Sequence, residues 1–570
     1  MSRKPPPAPS TRPGETSQAT FEARLKALGP EHPETLAAAE AEARALDMQG
    51  DASRAEDLLR RALRGLGRGP LQPSAPPLTR LLAEIVEQQG RAIDADTIWR
   101  ELVKACEASL GAGHRESLTS RVGFSEMLRR TGRSLQSLEI LRGAPQQLAD
   151  AVTSRAARLA SGRSLIELER FPEAEAVQRA VIAELSGRPE ETDALAAAED
   201  LATVLTLLGR AAEGVSAVEA LADERVRTLG AADERTLEAS VAAVALRVTS
   251  LPDTVPEEAL AALTARCEEA LGQTHRLTVL ARVHRARLAL ARGARDAMRS
   301  LLSAVLEAVE GTLGPSHADV LLLRADVATQ LLTADAAEEA EALLARNLAL
   351  RRGRFGRDHR SVLADEALRI VALAKLGRAK EAEAAAALLL RTRERRAGPD
   401  HHETVEVMDM LASVRESLGR GLDALPLRER SYAAQQRLTG PHHPLTLDRQ
   451  LSLAFAFEGQ HRLDKARPLF LAVLDGHRRR GEAGEADLCQ HLQNLAPIFV
   501  FRLHDPATSE QLCLEAVALL TRRLGAEHPE TLAAVKALDE LRALPKDDLA
   551  ELLVPHDPIH PVFGRPVLPM

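Results

Sequence analysis

Apolar and small residues recur along this chain at a spacing longer than any single helix or strand. The pattern is fullest in LGPEHPETL (28–36) and LGAEHPETL (524–532). It returns as LGAGHRESL (110–118), LGAADERTL (229–237), LGQTHRLTV (271–279), LGPSHADVL (313–321), FGRDHRSVL (355–363), AGPDHHETV (397–405) and TGPHHPLTL (439–447). The position usually held by His falls at 32, 114, 191, 233, 275, 317, 359, 401, 443, 485 and 528, evenly spaced from 191 to 485. Eighteen residues after each such position comes a turn signal of the type Gly-Arg-x-x-Glu-Ala, at 50, 90, 132, 169, 209, 251, 293, 335, 377, 419, 461 and 503. Two units with no clear first motif, near 72 and 151, are recovered from these turns.

Counting from the His position, +4 is apolar in every clear unit, and +11 is small in eight, from Ala43 to Ala496. A spacing of seven places both on one helix face, where a small residue lets a neighbouring helix approach closely. After the turn, a small residue follows at five (Ala55, Ala95, Ala340, Ala382) and a large apolar one four later (Leu59, Trp99, Leu344, Phe470). The unit therefore reads as helix A, tight turn, helix B. One hairpin cannot bury both faces, so its stability must come from stacking on neighbours. The expectation is an all-α, right-handed α-solenoid of about twelve antiparallel helix hairpins plus a terminal half-unit, spanning residues 21–545 with no internal boundary.

Composition supports this. The chain has 570 residues and is 45% hydrophobic, but only 2% are aromatic. That excludes strand-rich cores and single-strand nucleic-acid platforms, which use aromatics for packing or stacking. Arg supplies 66 of the 74 basic residues and Asn occurs twice, a bias of GC-rich bacterial genomes. Net charge is −8 with both signs mixed, so neither nucleic acid nor an anionic membrane is favoured. The Pro-rich start MSRKPPPAPS lacks the apolar segment of a secretory signal, and no apolar run is long enough to span a bilayer. The four Cys (Cys106, Cys267, Cys489, Cys513) are scattered, with neither disulfide-framework nor zinc spacing. A cytoplasmic setting follows.

The 42-residue unit with LGxxHPxTL, the GRxxEAE turn and a small mid-helix residue resembles tetratricopeptide repeats of the kinesin-light-chain type, with HLQNLAPIF (491–499) nearest to that family's LNNLA helix. Most other units lack those Asn residues. The resemblance covers roughly 21–545 and implies a superhelix whose A helices line a concave groove for extended or helical peptides. Kinesin association is not implied, since no heptad segment accompanies the repeats.

Three kinds of residue invite a chemical reading. The recurrent His could ligate metal, but hairpins stacked at helix-packing distances keep successive copies apart. Asp233, Glu191 and Glu485 fill the same slot, which fits capping of free first-turn N–H groups. The HH pairs at 401–402 and 442–443 belong to the same series. Basic runs at 351–354, 391–396, 478–480 and 522–523 lie where helix B ends, matching the helix dipole. The densest stretch, Arg276–Arg299, holds seven Arg against Asp296 and is the one place that invites an anionic ligand. No P-loop, GxGxxG, GxSxG, HExxH or kinase motif occurs. The reading is of a chain without catalytic residues, metal site or cofactor.

The groove is the remaining candidate. Positions +9 and +12 flank the buried stripe and vary between units: Asp200, His284, Asp326, Met410, Ser452 and Asn494 at +9, Arg287, Ser413 and Phe455 at +12. Asn494 matches the second Asn of the family's LNNLA, whose amide can pair with a peptide backbone. The function expected is a protein–protein interaction scaffold for a protein or peptide partner. The alternatives are a regulatory or sensor module of a signalling system and, disfavoured by charge, a nucleic-acid-binding array. Oligomeric state stays open. Residues 1–20 are expected to be disordered. The Pro-rich tail 546–570 is expected to cap the last helix or to serve as a self-ligand.

Overall fold

The computed structural model describes residues 13–66, 75–142 and 151–543. Among them lie 26 α-helices and no strand. After Pro13–Leu28 come twelve A/B pairs, from Pro33–Gln49 with Ala52–Gly65 to Glu485–Phe501 with Pro506–Leu524, and then the lone helix Pro529–Ala543. Helix Pro13–Leu28 corrects the expected disorder of 1–20 over residues 13–20: the array begins one helix early and packs onto Pro33–Gln49 through the buried Phe21. The tail 546–570 lies outside the described residues.

The repeat positions do what their spacing predicts. Leu36, Leu118, Leu195, Leu237, Leu321, Leu363, Val405 and Leu447 at +4 are buried, as are the small residues at +11. The small +11 residue meets the small residue of helix B. A Cβ on Gly214 would lie 2.9 Å from the Ala202 Cα. In another repeat the same pair is Ser125 and Ser137, whose hydroxyls are 2.8 Å apart. The last half-unit shows the rule by exception. With no further hairpin over it among the described residues, Leu532 is 51% exposed and the +11 residue is the exposed Asp539.

The turns sit where the sequence places them. Backbone φ is positive at Gly50, Gly90, Gly132, Gly209, Gly293, Gly377 and Gly419, and also at Glu169, Asp335 and His461. Two differ. At 251 a 3-10 helix, Pro252–Thr254, replaces the tight turn, because two prolines bracket a segment with no Gly. In the last hairpin the positive φ falls on His504, one residue later than expected.

Two compact units are distinguished, divided between Met410 and Leu411, inside the continuous helix His402–Ser417. This departs from the undivided array expected above. The first unit is gathered by contacts that no local period encodes, between its first three turns and a stretch some seven repeats later. The Arg354 guanidinium donates to the Met48 carbonyl (2.8 Å) and also to that of Ser316 (2.6 Å). The His402 N–H donates to the Thr131 carbonyl (3.3 Å). Helices Ala75–Gln88 and Arg360–Lys375 touch, and Ala397 packs on the core of the first hairpins.

Candidate functional site

The +9 and +12 positions come together across the repeat interface. Arg287, at +12 of one repeat, donates to Asp326, at +9 of the next (2.9 Å). Arg163 bridges Asp200 (3.0 Å) and Glu126 (3.2 Å), joining three successive A helices. Burial nevertheless raises the Asp200 pKa, with Arg163 opposing. His284 is 5% exposed; burial, seconded by Arg287, lowers its pKa to about 4, so the ring is neutral. The expectation of freely varying groove residues is therefore corrected for Asp200, His284, Arg287 and Asp326. Asp200, Arg287 and Asp326 are engaged by the array itself, because +12 of one helix faces +9 of its neighbour, and His284 is buried, its Nδ1 without a partner among the described residues.

The second unit is built differently on the same face. Phe455, at +12, is 36% exposed and is the outer member of an edge-to-face series with Phe470 (5.1 Å) and Phe499 (6.4 Å). Ser452 and Asn494 are half-buried, and neither has a hydrogen-bond partner among the described residues. Met410 is half-buried at the end of the first unit.

The basic runs dissolve into structure. Arg351 and Arg393, which open or interrupt two of them, are each 3% exposed. They sit at +34, as does Arg225, and each feeds the backbone of an adjoining A helix or the loop before it. Arg225 donates to the carbonyls of Pro189 (2.7 Å), Arg235 (2.8 Å) and Glu191 (3.1 Å). Arg351 donates to Leu321 (2.8 Å) and Ser361 (3.1 Å), and to the Asp365 carboxylate (2.6 Å). Burial raises Asp365 to about 6 against the pull of Arg351. Asn347 bridges this pair to Arg324, accepting from that guanidinium (3.1 Å) and donating to Asp365 (2.8 Å). Guanidinium groups suit this task, since a rigid fork of donors can satisfy several acceptors at once. Several other members pair outward, Arg352 with Glu366, Arg396 with Asp358, Arg478 with Glu515 and Arg522 with Glu485. The stretch Arg276–Arg299 is met likewise, by Glu268, Glu257, Asp326, Asp335 and Glu339. It offers no concentrated positive charge for an anion.

The recurrent histidines are caps. Nδ1 of His32, His114, His275, His317, His359, His401, His443 and His528 accepts from the backbone N–H two residues on, at 3.1–3.3 Å. Asp233 does the same (3.0 Å). Glu191 makes no such bond, and at 485 the cap position has moved to Gly484. Burial lowers His359 to about 4 and His401 to about 3, which keeps both rings able to accept.

Where the first unit closes on itself there is a cavity of about 20 Å3, room for one water. Its walls include Glu87, Arg130, Arg360, Arg393, His401 and Glu403. It is too small for a substrate, and its guanidiniums are already paired, Arg130 with Glu87, and Arg360 and Arg393 with Glu403.

Residues 410–479 match the tetratricopeptide repeat family. That stretch carries tetratricopeptide repeats, and such repeats are in general protein-interaction scaffolds. No protein of curated function matches the chain. Among solved structures, the nearly identical TPR-like repeats assigned to a Podosopora anserina kinesin light chain align at 17% identity, covering 50% of this chain and 98% of that one (TM-score 0.24). A point variant of the same repeats gives 16%, 50%, 96% and 0.23. The APC/C hetero-tetramer Cut9-Hcn1 aligns at 11% identity over 92% of this chain and 99% of that one (TM-score 0.31). Among the described residues no helix is long and apolar enough to cross a membrane.

Proposed function

We propose that the chain is a non-catalytic scaffold that holds an extended or helical segment of a protein partner against the A-helix face of its second unit. One observation carries this reading. In the first unit two +12/+9 pairs, Arg163 with Asp200 and Arg287 with Asp326, spend their side chains on each other, whereas Ser452 and Asn494 have no hydrogen-bond partner among the described residues and lie on the same face as the half-exposed ring of Phe455. An unpaired carboxamide offers both a donor and an acceptor to a passing main chain. An exposed aromatic offers an apolar anchor with little side-chain entropy to lose. The Arg-for-Lys bias and four buried free thiols support a bacterial cytoplasm as the setting.

The test is to pan a displayed peptide library against the full chain and to measure the selected peptides against Phe455→Ala/Asn494→Ala. Roughly tenfold or greater weakening is expected, the usual scale for an interface anchor. The same affinity for both proteins sinks the proposal. An Asp200→Ala/Asp326→Ala variant should bind as the parent does.

A further inference from the structure

The self-contact of the first unit has an unusual construction. The turn of the second repeat meets the loop entering the ninth, and the turn of the third meets the start of the tenth. A Cβ placed on Gly90 would lie 2.5 Å from the Asp358 carbonyl oxygen, and one on Gly132 would lie 2.7 Å from the His402 Cβ. On Gly50 it would meet Arg354 at 2.9 Å and Phe355 at 3.1 Å. Equivalent turns at Gly209, Gly293 and Gly377 have nothing within 4 Å of the same point. At Gly90 backbone lies on backbone, and at Gly50 and Gly132 the space a side chain would fill is taken by the Arg354 and His402 side chains.

The contact joins mainly turns and loops, with helices Ala75–Gln88 and Arg360–Lys375 touching and Ala397 resting on the core of the first hairpins. Side chains at +4 and +11 of the hairpins on both sides, such as Leu36, Ala43 and Ile370, are buried, while Leu363 also lines the seam cavity. The charged groups lining the cavity are neutralised on their own sides. Glu87 and Arg130 pair on one side; Glu403 with Arg360 and Arg393, and Asp358 with Arg396, pair on the other. Separating the two sides would thus strand none of these charges, so the large penalty of an uncompensated buried ion does not arise. What would be lost is the Arg354–Met48 and His402–Thr131 hydrogen bonds and a few apolar touches, such as Ala397 on the core of the first hairpins. Both bonds end on backbone carbonyls, which water can satisfy.

We propose that this seam is a latch. It fixes the pitch of the first unit and opens without unfolding the repeats, so that the unit has a closed state and a sprung one. Nearest-neighbour stacking holds each repeat in either state, and the seam alone decides between them.

The four native thiols are buried, so spin labels can be directed to introduced cysteines. The full chain carrying Met48→Cys and Arg357→Cys, exposed positions on opposite sides of the seam, is measured by double electron–electron resonance. A single narrow, short distance is expected. Adding Gly90→Val/Gly132→Val is expected to shift it to longer and broader distances, while Gly209→Val/Gly377→Val, which imposes the same backbone strain at open turns, leaves it in place. Circular dichroism is recorded on all three. A long, broad distance in the labelled parent overturns the proposal, as does an unchanged distance in the seam variant. Loss of helix in the seam variant but not in the control also overturns it, because the repeats would then need the seam in order to fold.

Discussion

Gly90 and Gly377 stand at the same point of their repeats, follow the same sequence signal and adopt nearly the same left-handed backbone, with φ of +76° and +70°. Around Gly377 the space is empty, whereas Gly90 has the Asp358 carbonyl pressed against it. One turn needs glycine for its backbone alone. The other needs it for backbone and for room. Position in the repeat decides conformation, and position in the coil decides how much else depends on it.

The largest effect expected from this difference is a split between identical substitutions. Gly377→Val should cost about 1–2 kcal/mol, the penalty of a left-handed L-residue. Gly90→Val should cost about 3 kcal/mol or more, since overpacking against backbone adds to the same strain. Urea unfolding of both variants checks it, and equal losses would erase the distinction between the turns.

Acid should weaken the loops on the far side of the seam. His359 and His401 are neutral caps with depressed pKa values of about 4 and 3. A depressed histidine contributes stability that is fully present above its unfolded pKa of about 6.5 and is lost as pH falls toward the folded value. Asp365, raised to about 6, acts in the opposite sense and gains below that pH. Two rings against one carboxyl leave a net loss of about 2 kcal/mol between pH 7 and 5 for these three groups. Unfolding at the two pH values in His359→Asn/His401→Asn, where Asn can still cap, should show that loss replaced by a gain of about 1 kcal/mol, the contribution of Asp365 alone.

Arg354 reaches across the seam and back to its own side. Arg354→Ala should cost about 1.5–3 kcal/mol, the range for hydrogen bonds from a charged donor, reduced where water replaces it. Arg395, exposed in a neighbouring run, should be indifferent to the same change when melting temperatures are compared. The smallest effect has the opposite sign. Glu169 and His461 occupy the turn position in the left-handed conformation without being glycine. Glu169→Gly or His461→Gly should stabilise by about 0.5–1 kcal/mol, relief of strain partly offset by the freer unfolded chain.

Much of the architecture was legible because it repeats. The turn positions, the buried side chains at +4 and +11 and the capping role of His32 through His528 follow from properties local to one hairpin. What was hidden depends on neighbours the period does not name. Arg351 and Arg393 read as members of solvent-facing basic runs, yet they lie inward because the carbonyls near the start of an adjoining A helix need donors there. Asp326 reads as a free groove residue, yet Arg287 of the preceding repeat has taken it. The second His of the pair at 401–402 read only as part of the capping series, yet its backbone N–H meets Thr131, some seven repeats away. Phe355, the one aromatic to open the nine-residue motif, stands beside Arg354 at the seam and was the local irregularity that could have pointed there.

The seam also makes the number of repeats matter. An array held only by stacking can gain or lose a 42-residue unit anywhere and remain sound. Here, a unit duplicated or deleted between Gly132 and Arg354 would slide every later loop by one place. Gly90 would face the wrong partner while each hairpin stayed intact. Length along this stretch therefore behaves as a gear ratio: whole repeats can be counted in or out, but only one count lets the teeth mesh.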